Sequence, residues 1–256
     1  KEIMKAFGTD EKTFPPKMVL SAISSAKDSL VSPQEYAATA GSDLRAQTVA
    51  KLYLEYQKRL KAADAMDFDD MINHTVRLFS ENEDVLLRYG GRFRYIMVDE
   101  YQDTNHAQYE LVRLLASVHG NICVVGDDDQ SIYRFRGATI ENILNFEQEY
   151  RGSRLIRLEQ NYRSTQAILN AANAVIAHNI GRKGKRLWTA NGQGEPITVF
   201  EAYDEGAEGN FVAGKIIQQS KGKNFKDYAI LYRTNAQSNA LEYALKRNGI
   251  PYRVIG

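Results

Sequence analysis

Tyr95-Ile96-Met97-Val98-Asp99-Glu100-Tyr101-Gln102-Asp103 carries an apolar run straight into a cluster of acids. A short apolar run of this kind reads as a strand. A strand ending in two adjacent carboxylates presents them at its carboxyl end, where parallel α/β sheets take their ligands. A strand-end Asp holds Mg²⁺ beside a nucleotide's phosphates, directly or through water. The next carboxylate points elsewhere and is placed to orient or deprotonate an attacking water. A solvated acidic turn would show the same pair, and Gln102-Asp103-Thr104-Asn105 behind it adds weight to the chemical reading.

Outward from this stretch, the pattern on the two sides differs. Residues 1–63 read as helices only. Ser32-Pro33-Gln34-Glu35 is a capping box with proline at the first helical position. Val49, Leu52, Tyr53, Tyr56, Leu60 and Ala63 fall on one face of a long helix, and Phe68, Met71, Ile72, Thr75, Val76 and Phe79 repeat that spacing in the next. Both stripes predict core packing. From about residue 93, strand candidates at Tyr95–Val98, Ile122–Val125, Leu155–Leu158, Ile197–Phe200, Tyr228–Leu231 and Tyr252–Val254 alternate with helices such as His106–Val118, Ser164–His178 and Glu208–Gln219. This alternation predicts an α/β fold of mostly parallel sheets covered by helices.

Two further segments carry chemistry. Gly126-Asp127-Asp128-Asp129-Gln130-Ser131-Ile132-Tyr133-Arg134-Phe135-Arg136-Gly137-Ala138 also follows a strand candidate. Its acids and amide suit a metal–phosphate site. Its alternating aromatics and arginines suit stacked bases and a phosphate backbone. Leu158-Glu159-Gln160-Asn161-Tyr162-Arg163-Ser164-Thr165 sets an Arg just before an expected N-cap Ser, a position from which a guanidinium can reach a γ-phosphate across a cleft, although on this segment alone a salt-bridged surface Arg is the stronger reading.

In this order and spacing the three segments resemble motifs II, III and IV of the UvrD/PcrA/Rep branch of superfamily 1 DNA helicases. Asp67-Phe68-Asp69-Asp70 resembles an acidic segment upstream of motif II, and Tyr232-Arg233-Thr234-Asn235-Ala236-Gln237-Ser238 a turn in the second motor domain. The resemblance implies RecA-like, P-loop NTPase motor domains with an all-helical inserted subdomain. Residues 1–63 would be that insertion, 64–152 the later part of the first motor and 153–256 the opening part of the second. It implies ATP and Mg²⁺ as cofactors, single-stranded DNA and duplex junctions as partners, and 3′-to-5′ unwinding in repair or replication. It also implies roles. Asp99 serves Mg²⁺, Glu100 is the catalytic base, Asp127 belongs to the nucleotide site and Gln130 senses the γ-phosphate. Tyr162 stacks on adenine and Arg163 is the arginine finger. Tyr133, Phe135 and Arg136 contact DNA. The family often has Trp where this chain has Phe135.

The bulk numbers bound the rest. The chain has 256 residues, 43% hydrophobic and 25% charged, with a net charge of +1. Residues 64–110 hold eleven acids against four bases, and residues 151–190 eight bases against one acid. Such asymmetry fits two solvated faces of opposite sign or a phosphate-bearing partner. The single cysteine, Cys123, lies in an apolar run and reads as buried; it excludes an intrachain disulfide and suits a reducing, cytoplasmic compartment. No run is long and apolar enough to span a membrane. A P-loop needs Gly, four residues, then Gly-Lys and a hydroxyl residue. Gly181-Arg182-Lys183-Gly184-Lys185-Arg186 comes nearest and fails. With Lys1 in place of Met and an apolar run at Pro251–Gly256, the expectation is an internal piece of a longer protein, inactive alone. Two alternatives remain: the motor of a helicase–nuclease, and a single-strand-binding module without motor activity.

Overall fold

The computed structural model describes residues 1–179, 184–221 and 224–255, the Arg136 side chain excepted. It divides into two compact units, one of residues 1–164 and 172–190, the other of 165–171 and 191–256.

The first unit begins with helices α1 (Glu2–Ala6), α2 (Pro16–Asp28), α3 (Pro33–Thr39), α4 (Leu44–Ala62), α5 (Phe68–Glu81) and α6 (Glu83–Arg92). Their starts are set by side chains that take the first free N–H groups. Ser32 and Glu35 form the expected capping box on α3, and Asp43 accepts from Arg45 and Ala46 on α4. Asp67 and Asp70 cap α5 reciprocally. Met4, Val19, Ile23, Ala26, Leu52 and Tyr53 make the buried cluster of this helical part. Each fully buried aliphatic side chain stabilises by about 1.5–3 kcal/mol. The second apolar stripe is only partly core. Val76 and Phe79 are buried, but Phe68 is 88% exposed and Met71 56%. The first turn of α5 is anchored by its acids, so its apolar side chains face solvent.

Next come β1 (Ile96–Val98), α7 (His106–Ala116) and β2 (Ile122–Val124). The strands pair in parallel, Ile96 with Ile122, Met97 with Cys123 and Val98 with Val124. The pleat puts alternate residues on opposite faces. Ile96, Val98, Ile122 and Val124 are partly covered, whereas Met97 and Cys123 look outward. Cys123 is therefore exposed, not buried as its apolar run suggested. Short helices α8 (Glu141–Leu144) and α9 (Phe146–Glu149) follow.

Helix α10 (Gln166–Ile176) gives its first half to the second unit. It opens two residues after the expected Ser164 cap, and its first N–H groups donate to the carbonyls of Gly192 and Gln193. Helices α11 (Glu205–Ser220) and α12 (Ser238–Arg247) pack together over Ala213, Ile216, Ala244 and Leu245. Gly209 permits the close crossing: a Cβ there would lie 2.9 Å from the Ala240 carbonyl oxygen.

The four later strand candidates, Leu155–Leu158, Ile197–Phe200, Tyr228–Leu231 and Tyr252–Val254, form no ladder among the described residues. β1 and β2 make the one sheet there, beside an isolated parallel bridge of Gln160 with Trp188. Tyr228–Leu231 keeps the strand period, Tyr228 and Ile230 lying on the α11–α12 core while Leu231 is 94% exposed. An apolar run records a side chain's preference for burial; a ladder also needs a neighbouring backbone.

Candidate functional site

Two loops leave the carboxyl ends of β1 and β2, and backbone bonds lace them together. Val125 N–H donates to the Val98 carbonyl at 2.8 Å, and Tyr101 N–H to the Val125 carbonyl at 3.0 Å. The expected carboxylate loop and acidic-aromatic loop are therefore neighbours. Glu100 sits in the left-handed backbone region at φ +51°. For a side chain larger than glycine this stores about 1–3 kcal/mol, and such strain gathers at functional sites. Asp99 Oδ1 accepts the Glu100 N–H at 2.9 Å and stabilises the bend. Both residues are exposed, so their carboxylates face solvent at the strand end.

Gln102 lies under the loops, fully buried, and its carboxamide is shared between them. Its Nε2 donates to Glu100 Oε2 at 2.8 Å and to Asp103 Oδ2 at 3.3 Å. Its Oε1 accepts the Asp127 N–H at 2.9 Å, and Ser131 Oγ donates to its main-chain carbonyl at 3.3 Å. Gly126 makes the approach possible. A Cβ there would stand 2.5 Å from Gln102 Oε1 and 2.7 Å from Ile143 Cδ1.

The second loop gathers Asp127, Asp128 and Asp129, whose carboxylates lie within 4.8 Å of one another. Lys185 enters among them. It pairs with Asp127 Oδ1 and lies 3.7 Å from Asp128 Oδ1 and 3.6 Å from Asp129 Oδ2. Burial works against charge on Asp127. The Lys185 ammonium and a 2.7 Å bond from Gln130 Nε2 outweigh it and hold the carboxyl below the usual range. Gln130 itself is exposed. Mg²⁺ is usually held by one or two carboxylates, with substrate phosphates and waters completing the shell. Asp99 suits that role: it is solvent-facing and its hard oxygens sit at the strand end. The Asp127–Asp129 group already holds an ammonium.

Farther along, Tyr133 and Phe135 lie with ring centroids 5.9 Å apart, Phe135 being 75% exposed. They line a cleft of about 640 Å³ whose other wall includes Ser24, Asp28, Asp69 and Asn105. Asn105 Nδ2 donates to Asp28 Oδ1 at 2.6 Å, tying α2 to the start of α7. Burial, then the nearby Asp69 charge, pushes the Asp28 carboxyl up to about 6. The Arg136 side chain and residues 181–183 of the basic loop lie outside the described residues.

Tyr162 is 77% exposed, with its hydroxyl donating to Gln160 Oε1. Arg163 is exposed too. The Asn161 carboxamide takes the N–H groups of Arg163 and Ser164 at 3.0 and 2.7 Å. Among the described residues no ion pair joins Arg163 to the acidic loops. The structure thus links Glu100, Asp127 and Gln130 through the Gln102 carboxamide and the Gln130–Asp127 bond, with Asp99 bonded to the Glu100 N–H. Sequence reading missed Gln102 and Lys185 as members of the cluster. Gln102 stood in view inside the first segment, but its partner is a backbone N–H 25 residues away.

Comparison with known proteins places both halves of the chain. Residues 1–151 match the UvrD/REP helicase N-terminal domain, and residues 156–256 the UvrD-like helicase C-terminal domain. The chain is similar to the ATP-dependent DNA helicase PcrA of Staphylococcus epidermidis, at 49% identity over 257 residues, and to that of Staphylococcus aureus, at 51%. Each alignment covers 100% of this chain and 35% of the relative, so the chain spans about a third of their length.

Proposed function

The chain belongs to the UvrD/REP helicase family, and from that premise we propose that it supplies the hydrolytic carboxylates and a DNA-facing loop to an ATP-driven DNA helicase of its relatives' length. One observation carries this reading. The Asp99-Glu100 loop and the Gly126–Ala138 loop leave adjacent parallel strands and share the buried Gln102. This shared support favours a site for Mg²⁺ and water beside a site for stacked bases.

In this reading Asp99 holds Mg²⁺ and Glu100 takes the proton of the attacking water. Gln130 reads the γ-phosphate beside Asp127. Tyr162 stacks on the adenine and Arg163 supplies charge to the transition state. Tyr133, Phe135 and Arg136 contact single-stranded DNA at a duplex junction. The phosphate cradle comes from elsewhere in the longer polypeptide, since these 256 residues contain no P-loop. Residues 1–63 form the helical insertion of the first RecA-like motor, residues 64–152 its later part, and residues 153–256 the opening of the second. The motor runs 3′-to-5′ in repair or replication, in the cytoplasm.

The test is strand displacement by the full-length polypeptide on duplexes with a 3′ or a 5′ single-stranded tail. ATP-dependent release from the 3′-tailed duplex, lost in Glu100→Gln, is expected. Single-strand binding with no displacement from either duplex would reject the motor in favour of a binding module. Preference for the 5′ tail would reject the direction.

A further inference from the structure

Gln102 is 0% exposed, so no solvent replaces a partner it loses. Its orientation is settled by chemistry. The Asp127 N–H only donates, so the atom facing it is the carboxamide oxygen; the Glu100 and Asp103 carboxylates only accept, so the atom facing them is the nitrogen. Each end of the carboxamide is engaged by a different loop. A buried polar group left without its partner is penalised in full. Displacement of the second loop at Asp127 therefore either carries the carboxamide along or leaves it unsatisfied. The same carboxamide holds Glu100 Oε2, on a residue already bent into the left-handed region. Eight residues beyond Asp127, the same loop presents Phe135.

We infer that Gln102 is a positioning residue: it aims the Glu100 carboxylate and ties that aim to the loop bearing Tyr133 and Phe135, so that single-stranded DNA on the loop is felt at the hydrolytic group. This rests on the function proposed above. Fully buried, Gln102 acts through its bonds to Glu100 and to the Asp127 N–H. Its side chain needs both a donor and an acceptor, and no other residue type of that length offers both.

The experiment measures ATP turnover by the full-length polypeptide with and without single-stranded DNA. Gln102→Met keeps the length and removes both hydrogen bonds. Gln102→Glu keeps the acceptor for Asp127 and sets an oxygen against Glu100. Misplacement of a reacting group by an ångström costs about a hundredfold. Both variants should therefore lose at least about tenfold in kcat, with KM for ATP within about twofold of wild type. The ratio of turnover with DNA to turnover without it should fall toward one. If Gln102→Met fails to fold, Gln102→Glu decides alone. Retained kcat, or a parallel fall of both rates that leaves the DNA ratio unchanged, overturns the inference. Glu100→Gln separates the two claims. If that variant still turns over ATP, the proposed function has failed; if it is dead while the Gln102 variants behave as wild type, only the positioning role has.

Discussion

Lys27 should be among the costliest residues to neutralise in the first unit. It is 1% exposed, with its ammonium 2.6 Å from Asp67 Oδ2 and 2.8 Å from Asp70 Oδ1. Asp70 is itself 2% exposed. Lys27→Met fills the space and removes the charge, leaving two carboxylates facing an apolar side chain. Removing one partner of a buried pair costs about 3–5 kcal/mol. Here some donors remain. Gln57 Nε2 reaches Asp70 Oδ1 at 2.8 Å, the Tyr56 hydroxyl reaches Asp67 Oδ2 at 3.0 Å, and the Asp67 side chain is 24% exposed. These place the loss at the lower end, about 3 kcal/mol, a large share of the 5–15 kcal/mol that holds a typical domain. The assay is urea unfolding of the chain followed by helical circular dichroism, with the transition of the first unit expected to move. Lys27→Met combined with Asp67→Asn and Asp70→Asn should recover part of the loss, because no charge is then stranded while carboxamide oxygens remain for the α5 cap and for Gln57. A loss under about 1 kcal/mol in Lys27→Met would refute the reasoning, since the carboxylates would then not depend on this ammonium.

Asp28 should act on stability with the opposite sign from most carboxylates. The folded chain keeps its proton up to about pH 6, whereas the unfolded chain releases it near 4. Its contribution is therefore complete below the unfolded value and is lost as pH rises through the folded one. Asp28→Asn keeps the acceptor for Asn105, and should flatten that slope and stabilise the chain at pH 7 by about 1–2 kcal/mol after allowance for solvent; urea midpoints from pH 4 to 8 check this. Phe135→Ala in the full-length polypeptide should lose about 1–3 kcal/mol of single-strand binding, the range for one stacked base. Anisotropy titration at fixed salt reads it, and unchanged affinity rejects the stacking role. The 256-residue chain by itself should release phosphate from ATP at background, for want of a P-loop; turnover within tenfold of the full-length polypeptide, abolished by Glu100→Gln, would show an overlooked cradle.

The site was legible where local sequence and local structure coincide. Val98-Asp99-Glu100 and Val124-Val125-Gly126 each mark a strand end, and parallel pairing brings the two together. The capping box at Ser32 and Glu35 was readable for the same reason, since both partners lie within one turn. Distant partners leave no such trace. Nothing near Lys27 announces carboxylates 40 residues away, and nothing near Gln102 announces the Asp127 N–H. Burial misled in the other direction. Cys123 and Phe68 sit in patterns that suit a core, yet no described element covers them. The segments at 155–158, 197–200, 228–231 and 252–254 have strand-like composition without a ladder among the described residues, because pairing depends on a second backbone that composition does not specify.

In the proposed function Asp99 and Glu100 divide the work at the end of β1, one for the metal and one for the water. The direct measurement is ATP affinity and ATP turnover, with Mg²⁺ and single-stranded DNA, for Glu100→Gln in the full-length polypeptide. Gln keeps the size of Glu and one acceptor oxygen for the Gln102 Nε2 donor but cannot serve as the base, so nucleotide should bind within a few-fold of wild type while turnover falls by about 10²–10⁴, the usual contribution of general-base catalysis. Turnover at the wild-type rate with unchanged affinity would contradict the account.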